Sequence, residues 1–407
     1  MKSLEVLALH RNNLSGPIPI TLGDLTELKS LYLYSNQLSG PIPSELGNLE
    51  NLNVLELYDD QLSGSIPITL GDLTELKKLY LYSNQLSGPI PSELGNLENL
   101  NDLELCDNQL TGSIPITLGD LIELKFLYLY SNQLSGLIPV EIGKMKSLEV
   151  LALYLNNLSG PIPFTLGDLT ELKIVYLYSN QLSGLIPRGL GNLKKLNDLE
   201  LWDNQLSGSI PITICDLSEL KILSLYSNQL SGPIPAEIGK MKSLEYLSLG
   251  SNNLSGPIPV TLGDLTELKV LYLYSNQLLG LIPRELRNLK NLNDLQLCDN
   301  QLSGSIPITL GDLTELKVLY LYSNQLLGLI PRELGNLKNL NNLQLCDNQL
   351  SGSIPNTLGD LTKLNILYLY ENQLSGPIPT EIGKMKSLEH LSLRSNNLSG
   401  PIPITLW

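Results

Sequence analysis

An α/β-type repeat solenoid built on a parallel sheet is the fold this sequence predicts, and three observations predict it. Nearly every residue type recurs with a period of 24, and the 407 residues hold 16 full periods and 23 residues more. Apolar side chains return at seven fixed positions of each period. Composition is 42% hydrophobic with 33 Gly and 25 Pro but only 2 Phe, so leucine must carry the core and an ordinary aromatic-rich interior is excluded. The whole chain, 1–407, reads as a single array of about 17 units without terminal caps.

The elements follow in order when position 1 of a unit is set at Leu28. Apolar residues then occupy positions 1, 4, 6, 11, 15, 19 and 22 and face inward. Leu31 and Leu33 alternate with Ser30, Tyr32 and Tyr34, which is the period-2 pattern of a short strand. Position 9 is Asn in every unit but one, as in Asn36, Asn84, Asn108, Asn132, Asn180 and Asn204, with Asp60 the exception. A side-chain amide both donates and accepts, so a column of them satisfies backbone groups freed where the chain leaves each strand. Next comes Leu38-Ser39-Gly40-Pro41-Ile42-Pro43 and its copies. Glycine permits a sharp turn and proline stops an α-helix, so the return path is extended or made of short 3-10 pieces.

The consensus L-x-x-L-x-L-x-x-N-x-L, held in 17 consecutive frames without an insertion, is the leucine-rich repeat signature. With its S-G-x-I-P segment, the unit resembles the plant-specific class found in ectodomains of plant receptor-like kinases and receptor-like proteins. The resemblance covers the whole chain. It implies a right-handed superhelix (horseshoe) with a concave parallel β-sheet, short second strands and 3-10 turns on the convex side. It further implies an extracellular or cell-surface location and recognition of peptides, proteins or steroids. No Arg-x-Arg pair lies on any strand, so the carboxylate clamp of some peptide receptors in that family has no counterpart here.

Residues with chemistry to offer collect on the outward strand positions. All 18 tyrosines fall there. Tyr130, Tyr154, Tyr178, Trp202 and Tyr226 share position 7 on five successive units, and strands in a sheet lie about 4.8 Å apart. Tyr128, Tyr176 and Tyr272 sit at position 5, and Tyr274 again at position 7. Alternate strands add acids, including Glu56, Asp102 and Glu104, then Asp198, Glu200 and Asp203, then Asp294. An aromatic and acidic face fits an extended, amphipathic and on balance basic peptide or protein ligand. The plainer reading is cross-strand stacking that stiffens the sheet, with acids that serve solubility.

Other chemistries find little purchase. Lys and Arg number 26 against 41 Asp and Glu, a net charge of −15 that argues against nucleic acid. No apolar run is long enough to span a bilayer, and Met1-Lys2-Ser3-Leu4 reads as repeat sequence because it recurs at Met145, Met241 and Met385. Cys106, Cys298 and Cys346 share position 7, and Cys215 replaces a glycine. The spacing predicts free thiols and neither a metal site nor a cofactor. Acceptor sequons for glycans stand at Asn13, Asn157, Asn253 and Asn397.

The expected function is therefore a non-catalytic recognition module of receptor type. Two alternatives remain open at this point. One is a free-standing inhibitor resembling plant proteins that block cell-wall-degrading enzymes. The other is a structural or designed array without a ligand, including adsorption to ice through the threonine column Thr21, Thr69, Thr117, Thr165, Thr213, Thr261, Thr309, Thr357 and Thr405. Uncapped end units, each with about seven apolar side chains to cover, predict a piece of a longer array or end-to-end self-association.

Overall fold

A computed structural model describes residues 3–404; Met1, Lys2 and the last threonine of the column, Thr405, lie outside the described residues. The chain divides into two compact units, Met1–Leu206 and Ser207–Trp407. In the first, three-residue strands run from Val6–Ala8 through Asp198–Glu200 and form one parallel ladder. Each residue pairs with the one a full repeat further on, as Val6 with Ser30 and Leu103 with Leu127. The second unit repeats the design from Ile222–Ser224 through His390–Ser392.

The core is the leucine set that the periodicity selects. In the period that opens at Leu100, five leucines are fully buried, and Ile114 and Leu118 keep only 3% and 2% exposure. Each such side chain contributes about 1.5–3 kcal/mol of burial. A second, shorter ladder follows the first at the S-G-x-I-P segment, as in Gln37–Gly40 against Gln61–Gly64. Then Pro43, with φ −63°, opens the 3-10 turn Ser44–Asn48, and the pattern recurs in every described period. The turns can nest because Gly47 has no side chain: a Cβ there would sit 2.5 Å from the carbonyl oxygen of Thr69 in the next turn. Where Cys215 and Arg287 stand in that glycine's place, the following turn packs less closely.

The strand exit holds a feature that hydrophobic patterning does not reveal. Position 8 takes the left-handed conformation throughout, with φ between 50° and 57° from Arg11 to Ser395. Serine and aspartate tolerate it, but Leu155 and Glu371 adopt it too. What holds them is the asparagine column next in sequence. Asn84 donates to the carbonyls of Leu57 at 2.8 Å and Leu81 at 3.2 Å, while its Oδ1 accepts from the Leu62 N–H at 2.9 Å. Asn36, Asn108, Asn132, Asn180 and Asn204 make the same set of bonds, so each rung ties its own unit to the preceding one.

Candidate functional site

Outward strand residues alternate with the leucines, so consecutive units present them side by side on one face of the sheet. At position 7 of the first unit this builds two ring stacks. His10, Tyr34, Tyr58 and Tyr82 stack with successive centroids 4.4, 4.2 and 4.3 Å apart. Tyr130, Tyr154, Tyr178 and Trp202 follow at 4.3, 4.4 and 4.2 Å, with interplanar angles no larger than 16°. The rings cover one another and are half-buried, leaving their edges to solvent. Tyr128 meets Tyr130 edge-on at 6.4 Å, and Tyr176 tilts against Tyr178 at 6.1 Å.

The column read as continuous through Tyr226 passes from one compact unit to the other, since Trp202 belongs to the first and Tyr226 to the second. In the second unit the rings do not form a run. Tyr274 lies against the bare backbone of Gly250, whose absent Cβ leaves the room, and Tyr272 meets Tyr246 edge-on at 5.8 Å. Tyr322 and Tyr370 lie beside the thiols of Cys298 and Cys346 in the preceding repeat, as Tyr130 does beside Cys106. All four cysteines are free, and the three at the outward position are nonetheless buried because a tyrosine ring covers each. Burial pushes the Cys106 and Cys298 thiols up to about 12, so they stay protonated and unreactive.

The acids are also more enclosed than an outward position suggests. The Tyr80 hydroxyl donates to Asp102 at 2.6 Å and the Tyr176 hydroxyl to Asp198 at 2.8 Å. Burial pushes Asp198 up to about 6 and Glu104 up to about 7, the latter raised further by the neighbouring Asp102 and Glu56. Glu200 accepts from the Trp202 indole N–H at 2.6 Å, and Asp203 from the Ser179 hydroxyl at 2.9 Å. The offset that brings position 5 of one repeat against position 3 of the next was present in the sequence as a Tyr-to-Asp spacing of 22, but periodicity alone does not say which outward side chains touch.

Other candidate features take defined places. Asn13, Asn157, Asn253 and Asn397 are exposed at the strand exit. The threonine column does not present free hydroxyls: Thr69, Thr117, Thr165, Thr261 and Thr357 each donate to a carbonyl of the preceding repeat at 2.6–2.8 Å. Glutamates such as Glu45, Glu93 and Glu141 alternate with the threonines along the column. Among the described residues no group of three His, Cys, Asp or Glu side chains is placed to hold a metal, and no helix is long and apolar enough to cross a membrane.

Comparison with known proteins supplies the family. A model described as a leucine-rich repeat region matches residues 102–230 and 211–326, and related leucine-rich repeat models match 338–398 and 3–25, 27–49 and 75–97. A search of curated protein sequences finds no match. Among solved structures, a plant peptide hormone receptor, RGFR1, in complex with RGF2 is similar at 40% identity and a TM-score of 0.95, covering 98% of this chain and 68% of that one. A TDR receptor is similar at 34% identity and a TM-score of 0.92, over 97% and 68%. The Arabidopsis receptor kinase HAESA ectodomain, in complex with an extended IDA peptide hormone ligand, aligns at 38% identity and a TM-score of 0.83, over 99% and 71%. The chain therefore belongs to the leucine-rich repeat family and is similar to the ectodomains of plant peptide-hormone receptors.

Proposed function

We propose that the protein is a non-catalytic recognition module that binds a peptide or protein along the solvent face of its sheet, outside the cell. The carrying observation is the run Tyr130, Tyr154, Tyr178 and Trp202, four stacked rings with open edges on adjoining repeats. Aromatic groups held this rigidly give a partner contact area at little loss of side-chain entropy. Tyr128, Tyr176, Asp198, Glu200 and Asp203 flank the run and favour a ligand that brings apolar and basic groups together. Tyr226, Tyr272 and Tyr274 offer further rings on the sheet face of the second unit. The peptide complexes of similar receptors support this reading. Glycans on Asn13, Asn157, Asn253 and Asn397 belong to the same proposal, since they would decorate strand exits and leave the rings open.

The test is selection of displayed random 12-residue peptides on the intact protein, followed by affinity measurement on the variant Tyr178→Ser with Trp202→Ser. Selected peptides should bind at least tenfold more weakly to the variant while its circular dichroism is retained. Unchanged affinity across the selected set would remove the aromatic surface from recognition.

A further inference from the structure

The same three-residue arrangement recurs on the sheet face and is completed in one unit but not in the other. In the second unit, Asp294 accepts from the Tyr272 hydroxyl at 2.9 Å through Oδ2 and from the Gln296 side-chain amide at 3.1 Å through Oδ1. One repeat pair later the arrangement is fully neutral, with Asn342 donating to Tyr320 at 2.8 Å and accepting from Gln344 at 3.1 Å. In the first unit a glutamate stands where those glutamines do. Asp102 keeps its tyrosine bond, but its Oδ1 is buried with no hydrogen-bond partner, and the residue as a whole is only 9% exposed. Asp198, beside Glu200, has the same orphaned Oδ1. In both pairs the Oδ1 atom lacks a donor but is sealed from solvent, so the acceptor open to a partner is the half-buried glutamate beside it.

We infer that Asp102–Glu104 and Asp198–Glu200 are two acidic notches that take two cationic side chains of one extended peptide, placed six residues apart. The inference rests on the recognition reading and gives it a ligand chemistry and a register. Glu104 and Glu200 are half-buried; Asp102 beside the first is buried, and Asp198 beside the second is half-buried. Tyrosine and tryptophan rings of the stacks wall the notches, which suits a guanidinium above an ammonium because it both forks across two carboxylates and lies flat on a ring. Lys78 is the local basic neighbour of the first notch, but its ammonium sits 5.9 Å above the Tyr80 ring and forms no ion pair among the described residues. Burial raises the carboxyls of Asp102, Glu104 and Asp198, so a cation that enters also draws those three back to the charged form. The notches lie four repeats apart, about 19 Å at the usual strand spacing, and six residues of extended chain reach about 20 Å.

Two labelled 10-residue peptides of identical Gly, Ser, Tyr and Arg composition test the register by fluorescence anisotropy at low salt. One carries arginines at positions 2 and 8, the other at positions 2 and 5. The protein is assayed intact and as Glu104→Gln, Glu200→Gln and the double variant, each installing the residue that already folds at Gln296 and Gln344. We expect the 2,8 peptide to bind at least tenfold more tightly than the 2,5 peptide. Each single variant should weaken the 2,8 peptide about fivefold, and the double variant should abolish the preference. Equal binding of the two peptides, or affinity indifferent to both substitutions, overturns the notches. If selected library peptides then still depend on Trp202, the recognition reading survives that failure; if no peptide depends on either, both fall.

Discussion

The two units share a skeleton and differ in what they build on it. Leucine core, asparagine rungs and nested 3-10 turns recur in both, apart from Asp60 in the first unit and Cys215 and Arg287 in the second. On the sheet face they diverge. The first unit runs its rings in two stacks of four on either side of Cys106 and sets carboxylate beside carboxylate, while the second seats single tyrosines on Gly250, Cys298 and Cys346 and matches Asp294 and Asn342 each with a glutamine. A repeat frame thus leaves the outward positions free to vary, because nothing in the core depends on them. The first unit's face leaves Asp102 and Asp198 each with an unpaired oxygen, and the second leaves the buried Ser248 hydroxyl without a partner.

The comparison can be broken at the frame first. Asn84→Ala in the first unit and Asn300→Ala in the second each remove a rung with several bonds to buried carbonyls. Both should lose about 3 kcal/mol in urea unfolding, since stranded carbonyls dominate the effect. A large inequality between them would mean that the skeletons are not equivalent.

At the rings the units should part. Tyr178→Ser removes two stacking neighbours and should cost about 2 kcal/mol. Tyr322→Ser should matter less for stability but uncover Cys298, which then reacts with a thiol reagent that leaves the wild-type protein unlabelled under native conditions. Labelling of native wild-type Cys298 at the rate of a free thiol would show that no ring protects it.

Asp60 offers the finest distinction, because every rung of the second unit is asparagine. Its Oδ1 accepts from the Leu38 N–H at 2.8 Å, but Oδ2 has no partner, and burial pushes the carboxyl up to about 6. A carboxyl raised on folding favours the folded state below its unfolded value near 4 and loses that contribution as pH rises through 6. Asp60→Asn should therefore stabilise by about 1–2 kcal/mol at pH 7, allowing for solvent screening at this half-exposed site, and by little at pH 4. Thermal melts of both proteins at the two pH values check it, and a pH-independent difference would exclude titration of Asp60 as the cause.

Much of this was legible before any coordinates. The spacing 1, 4, 6 implied a strand, the asparagine recurring in all repeats but one implied a rung, and Gly40 with Pro43 implied a return path without an α-helix. The left-handed backbone at position 8 was not, because Leu155 and Glu371 carry no local signal for it and are held there by neighbouring rungs. Nor did an outward position at Cys106 announce burial, since the covering ring comes from the next repeat. Asp102 looked like one more surface acid; its enclosure depends on Tyr80, 22 residues earlier.

Sequence alone determined the path of the backbone, because a hydrophobic period that never slips admits one inward registry, and burial enforces it in every repeat. Tertiary structure decided what the outward face is. Whether a tyrosine stacks on a ring or covers a thiol, and whether an aspartate finds a second donor, depends on the residue that the neighbouring repeat places a few ångströms away. Those contacts join positions about one period apart, and no rule of local propensity reaches across that distance.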